Sequence, residues 1–171
     1  MIRNGKLEWL QIMRSNDLVW GTPYNFIQFT TMQELFAGWL NVDIGAYVHV
    51  SDSLHVYERH WDELDNYHLN SVKTCQNTSD LRIGSFAEWE VLWGKLIDVT
   101  LTLSQSTSAD KIIGVYEDTR KMPKAYRELT AVLAAEALRK RSFVKQASEL
   151  IREAGEFWLT SWTQWAETKS T

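Results

Sequence analysis

The sequence predicts an α+β fold: a partial β-sheet with one long helix packed on it, followed by a helical segment. Three observations carry this expectation. Two stretches of extended character, residues 6–13 and 44–57, flank a stretch with 3–4 apolar spacing over 23–40. From Ser85 onward the apolar residues recur with helical period. Only two prolines occur, Pro23 and Pro123, and each stands where a helix can open. The expected division is residues 1–72 as a mixed segment and 73–171 as a helical one.

Residues 6–13 alternate Leu7, Trp9, Gln11 and Met13 against Glu8, Leu10 and Ile12. Apolar residues on both faces predict a buried strand. Asn4-Gly5 before it is a hairpin-turn dipeptide, so a further strand is expected upstream. Over 23–40, Phe26, Phe29, Thr30, Gln33, Phe36, Ala37 and Leu40 mark one helical face. Residues 44–57 are rich in β-branched and aromatic residues and predict a strand. Residues 58–70 predict an amphipathic helix with an acidic, solvated face, and the polar stretch 71–80 a loop. Ser85 to Glu88 has a capping-box pattern, opening a helix with the apolar stripe Phe86, Trp89, Trp93, Leu96, Ile97. Further helical stretches are expected over 109–119, 123–140 and 142–167. The last has the cleanest period: Phe143, Ala147, Leu150, Ile151, Ala154, Trp158, Trp162, Trp165.

Composition narrows the function. The 171 residues carry 18 Lys+Arg against 22 Asp+Glu, a formal charge of −4. That balance argues against gripping nucleic acid along the chain, while leaving room for one small anion. The single cysteine, Cys75, excludes an intramolecular disulfide and a zinc site built on several cysteines. His68 beside Tyr67 has no second ligand at metal-like spacing, and no metal site is expected. No run approaches the ~20 apolar residues that span a bilayer, and the first residues do not form a signal peptide. A cytoplasmic protein without membrane contact is expected. The nine tryptophans sit mostly at helical spacing and are expected to pack.

Three short pieces carry chemistry. Arg14-Ser15-Asn16-Asp17 follows the first strand and offers a guanidinium fork beside a hydroxyl, a pair suited to phosphate. Gly21-Thr22-Pro23-Tyr24-Asn25 turns sharply into the long helix. An amide in its first turns donates and accepts at once, which suits the edge of a pyrimidine with adjacent N–H and C=O groups. In Ser53-Leu54-His55-Val56-Tyr57, His55 and Tyr57 share one strand face and can hold a sugar hydroxyl. Taken singly, each piece also reads as ordinary surface, turn or half-buried polar chemistry.

Together they resemble the thymidylate synthase family. The match runs Arg14-Ser15-x-Asp17, Gly21-x-Pro23-x-Asn25, Gly45-x-Tyr47-x-His49, then His55-x-Tyr57 and His60, with Gly5-Lys6-Leu7 leading into the first strand. It covers roughly residues 1–61. The resemblance implies that Arg14 and Ser15 hold the nucleotide 5′-phosphate and that Asn25 reads uracil. It implies that His55 and Tyr57 hold the 3′-hydroxyl of a dUMP-like deoxynucleotide, and that Asp17 and Gly21 contact the folate pterin. The implied reaction is C5 methylation of dUMP by methylenetetrahydrofolate, a methyltransferase step of nucleotide biosynthesis, in a homodimer packed sheet to sheet.

The departures are specific. In the family the nucleophilic cysteine lies about twenty residues upstream of the arginine, in a Pro-Cys-His context; thirteen residues precede Arg14 here, with no cysteine among them. The partner's phosphate-binding arginines come from the same upstream region. Met13 stands where the family usually has Gln, and Ser53 where many members have Asp. Residues 85–171 do not resemble the family's C-terminal segment. The expectation is therefore a thymidylate-synthase-like protein or fragment with no catalytic residue of its own, inactive alone. The alternative is a non-catalytic protein that binds a pyrimidine nucleotide or uses its helices for interaction.

Overall fold

The computed structural model describes residues 1–65 and 80–167. They form two compact units: residues 1–65 with Leu81–Phe86, and residues 87–167. The fold is α+β. The second half of the expected helix 58–70, nearly all of the expected loop 71–80, His68 and Cys75 lie outside the described residues.

The first unit opens with β1 (Ile2–Arg3) and β2 (Lys6–Asp17), joined by Asn4 and Gly5. Both turn residues have positive φ, 50° and 73°, as a two-residue hairpin with the right twist requires. Helix α1 (Gly21–Trp39) follows, then β3 (Asp43–His55), a 3-10 turn over Glu58–His60 and the short α2 (Trp61–Asp65). The sheet order is β1-β2-β3; β1 is antiparallel to β2, and β2 is parallel to β3. Strand β2 runs four residues further than the alternating pattern indicates, so Arg14–Asp17 end the strand rather than follow it. The cause is the partner: β3 pairs to the end, Ser15 opposite Ser53 and Asp17 opposite His55.

The parallel pair is irregular between Leu7 and Trp9. Here the strands approach closely at Gly45, where an added Cβ would sit 2.9 Å from the Leu7 carbonyl oxygen. Gln33 of α1, only 1% exposed, turns its amide onto this spot. It donates to the carbonyls of Leu7 (2.7 Å), Gly45 (3.2 Å) and Ala46 (3.3 Å). A buried irregularity in a ladder leaves carbonyls needing donors, and Gln33 supplies them.

Helix α1 lies on one face of the sheet. Phe36 stacks on Trp9 at 5.7 Å, and Phe26 stands against Tyr47 and His49 at 5.5 and 5.0 Å. The segment after Asp80 crosses the end of α1: Leu81 N–H donates to Glu34 Oε1, and a Cβ on Gly38 would meet the Ile83 backbone at 2.8 Å. On the other face Leu10, Ile12, Val48 and Val50 are exposed, Ile12 by 65%.

The second unit holds α3 (Phe86–Gln105) from its second residue, α4 (Ala109–Glu117), α5 (Lys124–Arg139), α6 (Val144–Leu150), a 3-10 turn over Ile151–Ala154 and α7 (Glu156–Glu167). Ser108 caps α4 by accepting from Lys111 N–H, and Pro123 opens α5. Its core is alanine-rich, with Leu103, Ile112, Leu138 and Ile151 closed in among Ala131, Ala134, Ala135 and Ala147. Small side chains let the helices approach closely. Thr119 and Thr130, both fully buried, pair their hydroxyls at 3.0 Å inside this packing.

Two expectations change. The single period over 142–167 is two helices broken at Gly155, whose φ of +88° no helix continues through. The period survives the break because both halves turn their apolar residues to one core, Ala147 and Leu150 from one and Trp162 from the other. The tryptophans are also less buried than expected. Trp162 is closed in; Trp9, Trp39, Trp89 and Trp158 are half-buried; Trp20, Trp61, Trp93 and Trp165 are exposed. The alanine-rich core of the second unit encloses Trp162, with Trp158 packed against it. Others cover one another instead, as Trp89 and Trp93 do at 5.5 Å, or carry a cation, as Trp165 does under Arg139.

Candidate functional site

Parallel pairing with α1 as the crossover brings the C-terminal ends of β2 and β3 beside the N-terminus of α1. This is where open parallel sheets present ligand-binding groups. Leu18 N–H donates to the His55 carbonyl at 2.9 Å, tying the chain leaving β2 to the end of β3. Beside that link, Ser15 Oγ and His55 Nδ1 are 3.4 Å apart. The His55 ring meets Tyr57 edge-on, 5.0 Å between centroids at 87°. The Arg59 guanidinium lies over the other ring, 4.8 Å from the Tyr57 centroid, and its Nε donates to His60 Nε2 at 3.0 Å. Arg14 is exposed and, among the described residues, has no hydrogen bond or ion pair. Its guanidinium is thus available to a ligand.

Asp17 is spoken for differently. Its carboxylate accepts from the N–H groups of Val19 (3.2 Å), Trp20 (3.0 Å) and Gly21 (3.4 Å), satisfying donors that a helix start leaves open. Desolvation raises its pKa, but the N–H donors of Trp20, Val19 and Gly21, with His60 nearby, outweigh it and hold the carboxyl below its ordinary value. Three donors do not exhaust a carboxylate's acceptor sites, so Asp17 can still accept one further N–H. Gly21 is needed for space: a Cβ there would lie 2.8 Å from Asn16 Oδ1.

Asn25, in the second turn of α1, does not stand alone. Its Nδ2 donates to Asn16 Oδ1 at 2.9 Å. Asn16 Nδ2 reaches His49 Nε2 at 3.0 Å and Ser51 Oγ at 3.4 Å. His49 Nδ1 meets Tyr47 Oη at 2.8 Å, and burial pushes the Tyr47 phenol up from its ordinary pKa. A polar network therefore runs from the middle of β3, through the end of β2, to the start of α1. Its hub, Asn16, is 3% exposed.

The sequence-predicted residues thus fall into three groups, with Asn25 as one of them, and a lone Arg14. Ser15, His55 and Tyr57 come together at the strand ends. Asn25 is held through Asn16. Asp17 and Gly21 join in the helix start, and Arg14 projects free. Sequence reasoning missed Asn16 and Arg59. The one trace of Asn16 was its place as the variable residue between Ser15 and Asp17; Arg59 gave none. The helical unit has a separate open groove of about 570 Å³ floored by Ile151, Leu159 and Trp162, and none of the predicted residues lines it.

Comparison with known proteins bears on this arrangement. The chain is 49% identical over 76 residues to the deoxyuridylate hydroxymethyltransferase of Bacillus phage SP01, covering 44% of this chain and 18% of that protein. It is 34% identical over 64 residues to a thymidylate synthase of Bacillus licheniformis, covering 37% and 23%. Thymidylate synthase 1 of Bacillus subtilis (strain 168) is 35% identical over 63 residues, covering 37% and 23%. The chain thus spans less than a quarter of the length of each of these relatives. The family model for thymidylate synthase matches residues 1–102, past the resemblance seen over 1–61 and into α3. With well over half of its residues matched by that model, the chain belongs to the thymidylate synthase family.

Proposed function

We propose that residues 1–72 are the nucleotide-gripping part of a site that modifies C5 of a deoxyuridylate. In this reading Arg14 and Ser15 hold the 5′-phosphate, Asn25 reads the uracil edge, and His55 and Tyr57 hold the sugar hydroxyl. The observation that carries it is the meeting of Ser15 and His55 at 3.4 Å. A phosphate ligand and a sugar ligand, forty residues apart in sequence, stand at neighbouring strand ends. Family membership supports a one-carbon-carrying folate, methylenetetrahydrofolate, as the donor. Asp17 and Gly21 would meet its pterin, Asp17 with the acceptor site its backbone donors leave open.

The transfer itself needs a nucleophile that attacks C6 of the pyrimidine. None of the grouped side chains is a thiol. This chain on its own is therefore expected to bind the nucleotide without turning it over. Hydroxymethyl transfer is a second reading of the same grip, favoured by the 49% identity to the phage hydroxymethyltransferase against 34% to the synthase.

A homodimer fits the same reading. The paired residues Leu10 with Val48 and Ile12 with Val50 form an exposed apolar patch of the kind that partners cover. A second copy, packed sheet to sheet, would dry it. Sedimentation across a concentration series tests this, and a monomer at every concentration overturns it.

The test of the site is an NMR or calorimetric titration of the chain with dUMP. Two or three phosphate contacts supplied from elsewhere in the family are not among the grouped residues, so binding is expected on the order of millimolar. No response at several-fold higher dUMP would overturn the nucleotide reading. Tritium release from labelled dUMP with methylenetetrahydrofolate is expected at background, and clear release would refute inactivity.

A further inference from the structure

Every polar atom of the Asn16 side chain is engaged. Oδ1 accepts from Asn25, and the two N–H bonds of Nδ2 point to His49 Nε2 and Ser51 Oγ. With His49 Nε2 accepting, the imidazole proton sits on Nδ1 and faces Tyr47 Oη. In this tautomer every donor of the network meets an acceptor, from Tyr47 and His49 through Asn16 to Asn25. At its end, Asn25 keeps one N–H and its Oδ1 for a ligand.

We propose that Asn16 is a positioning residue that sets the choice of uracil over cytosine by holding the Asn25 amide one way round. This rests on the nucleotide reading above. Uracil presents N3–H and C4=O, and an amide meets them with Oδ1 accepting and Nδ2 donating. Cytosine presents the reverse pair at the same two positions. A free Asn25 reads either base by turning its amide through half a circle. Here the turn would bring Asn25 Oδ1 against Asn16 Oδ1, two acceptors with no proton between them. Asn16 can turn in compensation only if His49 takes its other tautomer and the Ser51 hydroxyl turns to donate, so the turn must reverse the whole network. The cost of misreading is thus transmitted from β3 to a residue on α1 that touches neither histidine nor serine.

Two variants separate this from a merely structural role. Asn16→Asp keeps the acceptor facing Asn25 and loses the donor to His49. Asn16→Leu fills similar space and loses both. Any cost from the lost His49 bond is common to the two, so their difference isolates the hold on Asn25. The readout is the ratio of dUMP to dCMP affinity in the full chain. It is expected within about twofold of native in Asn16→Asp and about tenfold lower in Asn16→Leu, one hydrogen bond's worth. An unchanged ratio in Asn16→Leu, or equal loss for both nucleotides, overturns the proposal. A second readout needs no nucleotide: the side-chain NH2 protons of Asn25 should exchange slowly with water in the native chain and in Asn16→Asp, and rapidly in Asn16→Leu. Persisting protection in Asn16→Leu also overturns it. A native chain that ignores dUMP, with Asn25 still protected, would instead sink the nucleotide reading, and with it the role in base choice.

Discussion

The side-chain amide of Gln33 lies 2.7 Å from the carbonyl oxygen of Leu7, spanning from the middle of α1 to the irregular point where β2 meets β3. It fastens helix to sheet through a bond that no apolar side chain can replace. Gln33→Leu keeps the volume and removes a donor from three carbonyls, the one at Leu7 in a buried bond. We expect a loss of about 1–3 kcal/mol, read as a lower urea midpoint with the slope unchanged.

Two glycines should respond in opposite directions to alanine. At Gly45 the new Cβ meets the Leu7 carbonyl at 2.9 Å, a backbone group that cannot step aside, so Gly45→Ala should destabilise. At Gly114, inside α4, nothing lies within 4 Å of the new atom. Gly114→Ala should raise stability by about 0.5–1 kcal/mol, since alanine loses less backbone freedom in a helix. Thermal melts of the two variants check both signs.

The Asp17 carboxylate gives a pH signature. Its pKa is lowered in the folded chain, so its contribution is present above the unfolded value of 3.8 and disappears as pH falls through the folded value. Asp17→Asn should therefore melt below the native chain at pH 7. The gap should close as the pH drops through the carboxylate range towards 3. A gap that stays constant with pH would mean that the charge on Asp17 contributes nothing.

Arg14 should matter to a ligand and not to the fold. Having no protein partner among the described residues, Arg14→Ala should leave the melting temperature within a degree or so. The same change should weaken dUMP binding by about tenfold or more, as expected for a charge-assisted contact to phosphate. Parallel melting and titration of one variant separate the two effects.

Much of the first unit was legible because its determinants are local. Asn4-Gly5 announces a hairpin since both residues tolerate positive φ, and both adopt it. The spacing of Phe26, Gln33, Phe36 and Ala37 announces α1; the first three meet the sheet and Ala37 is fully buried. Other features depend on partners far along the chain. The end of β2 was set by β3, whose pairing residues there lie thirty-eight positions further along. Asn16 became a hub only because His49, Ser51 and Asn25 converge on it. The break at Gly155 was hidden by the regularity that announced the helix, since a shared core imposes the same period on both sides. The motif Arg14-Ser15-x-Asp17 revealed its family without revealing that Asp17 secures a helix start.

The bare face of the sheet changes what a melting temperature means for this molecule. In the proposed sheet-to-sheet dimer, Leu10, Ile12, Val48 and Val50 would leave water only when another copy arrives, so the driving force would scale with how often copies meet. Dilution would then act as a mild denaturant, and crowding with its own kind as a stabiliser. Two laboratories working at different protein concentrations would report different stabilities for the same sequence, and both would be right.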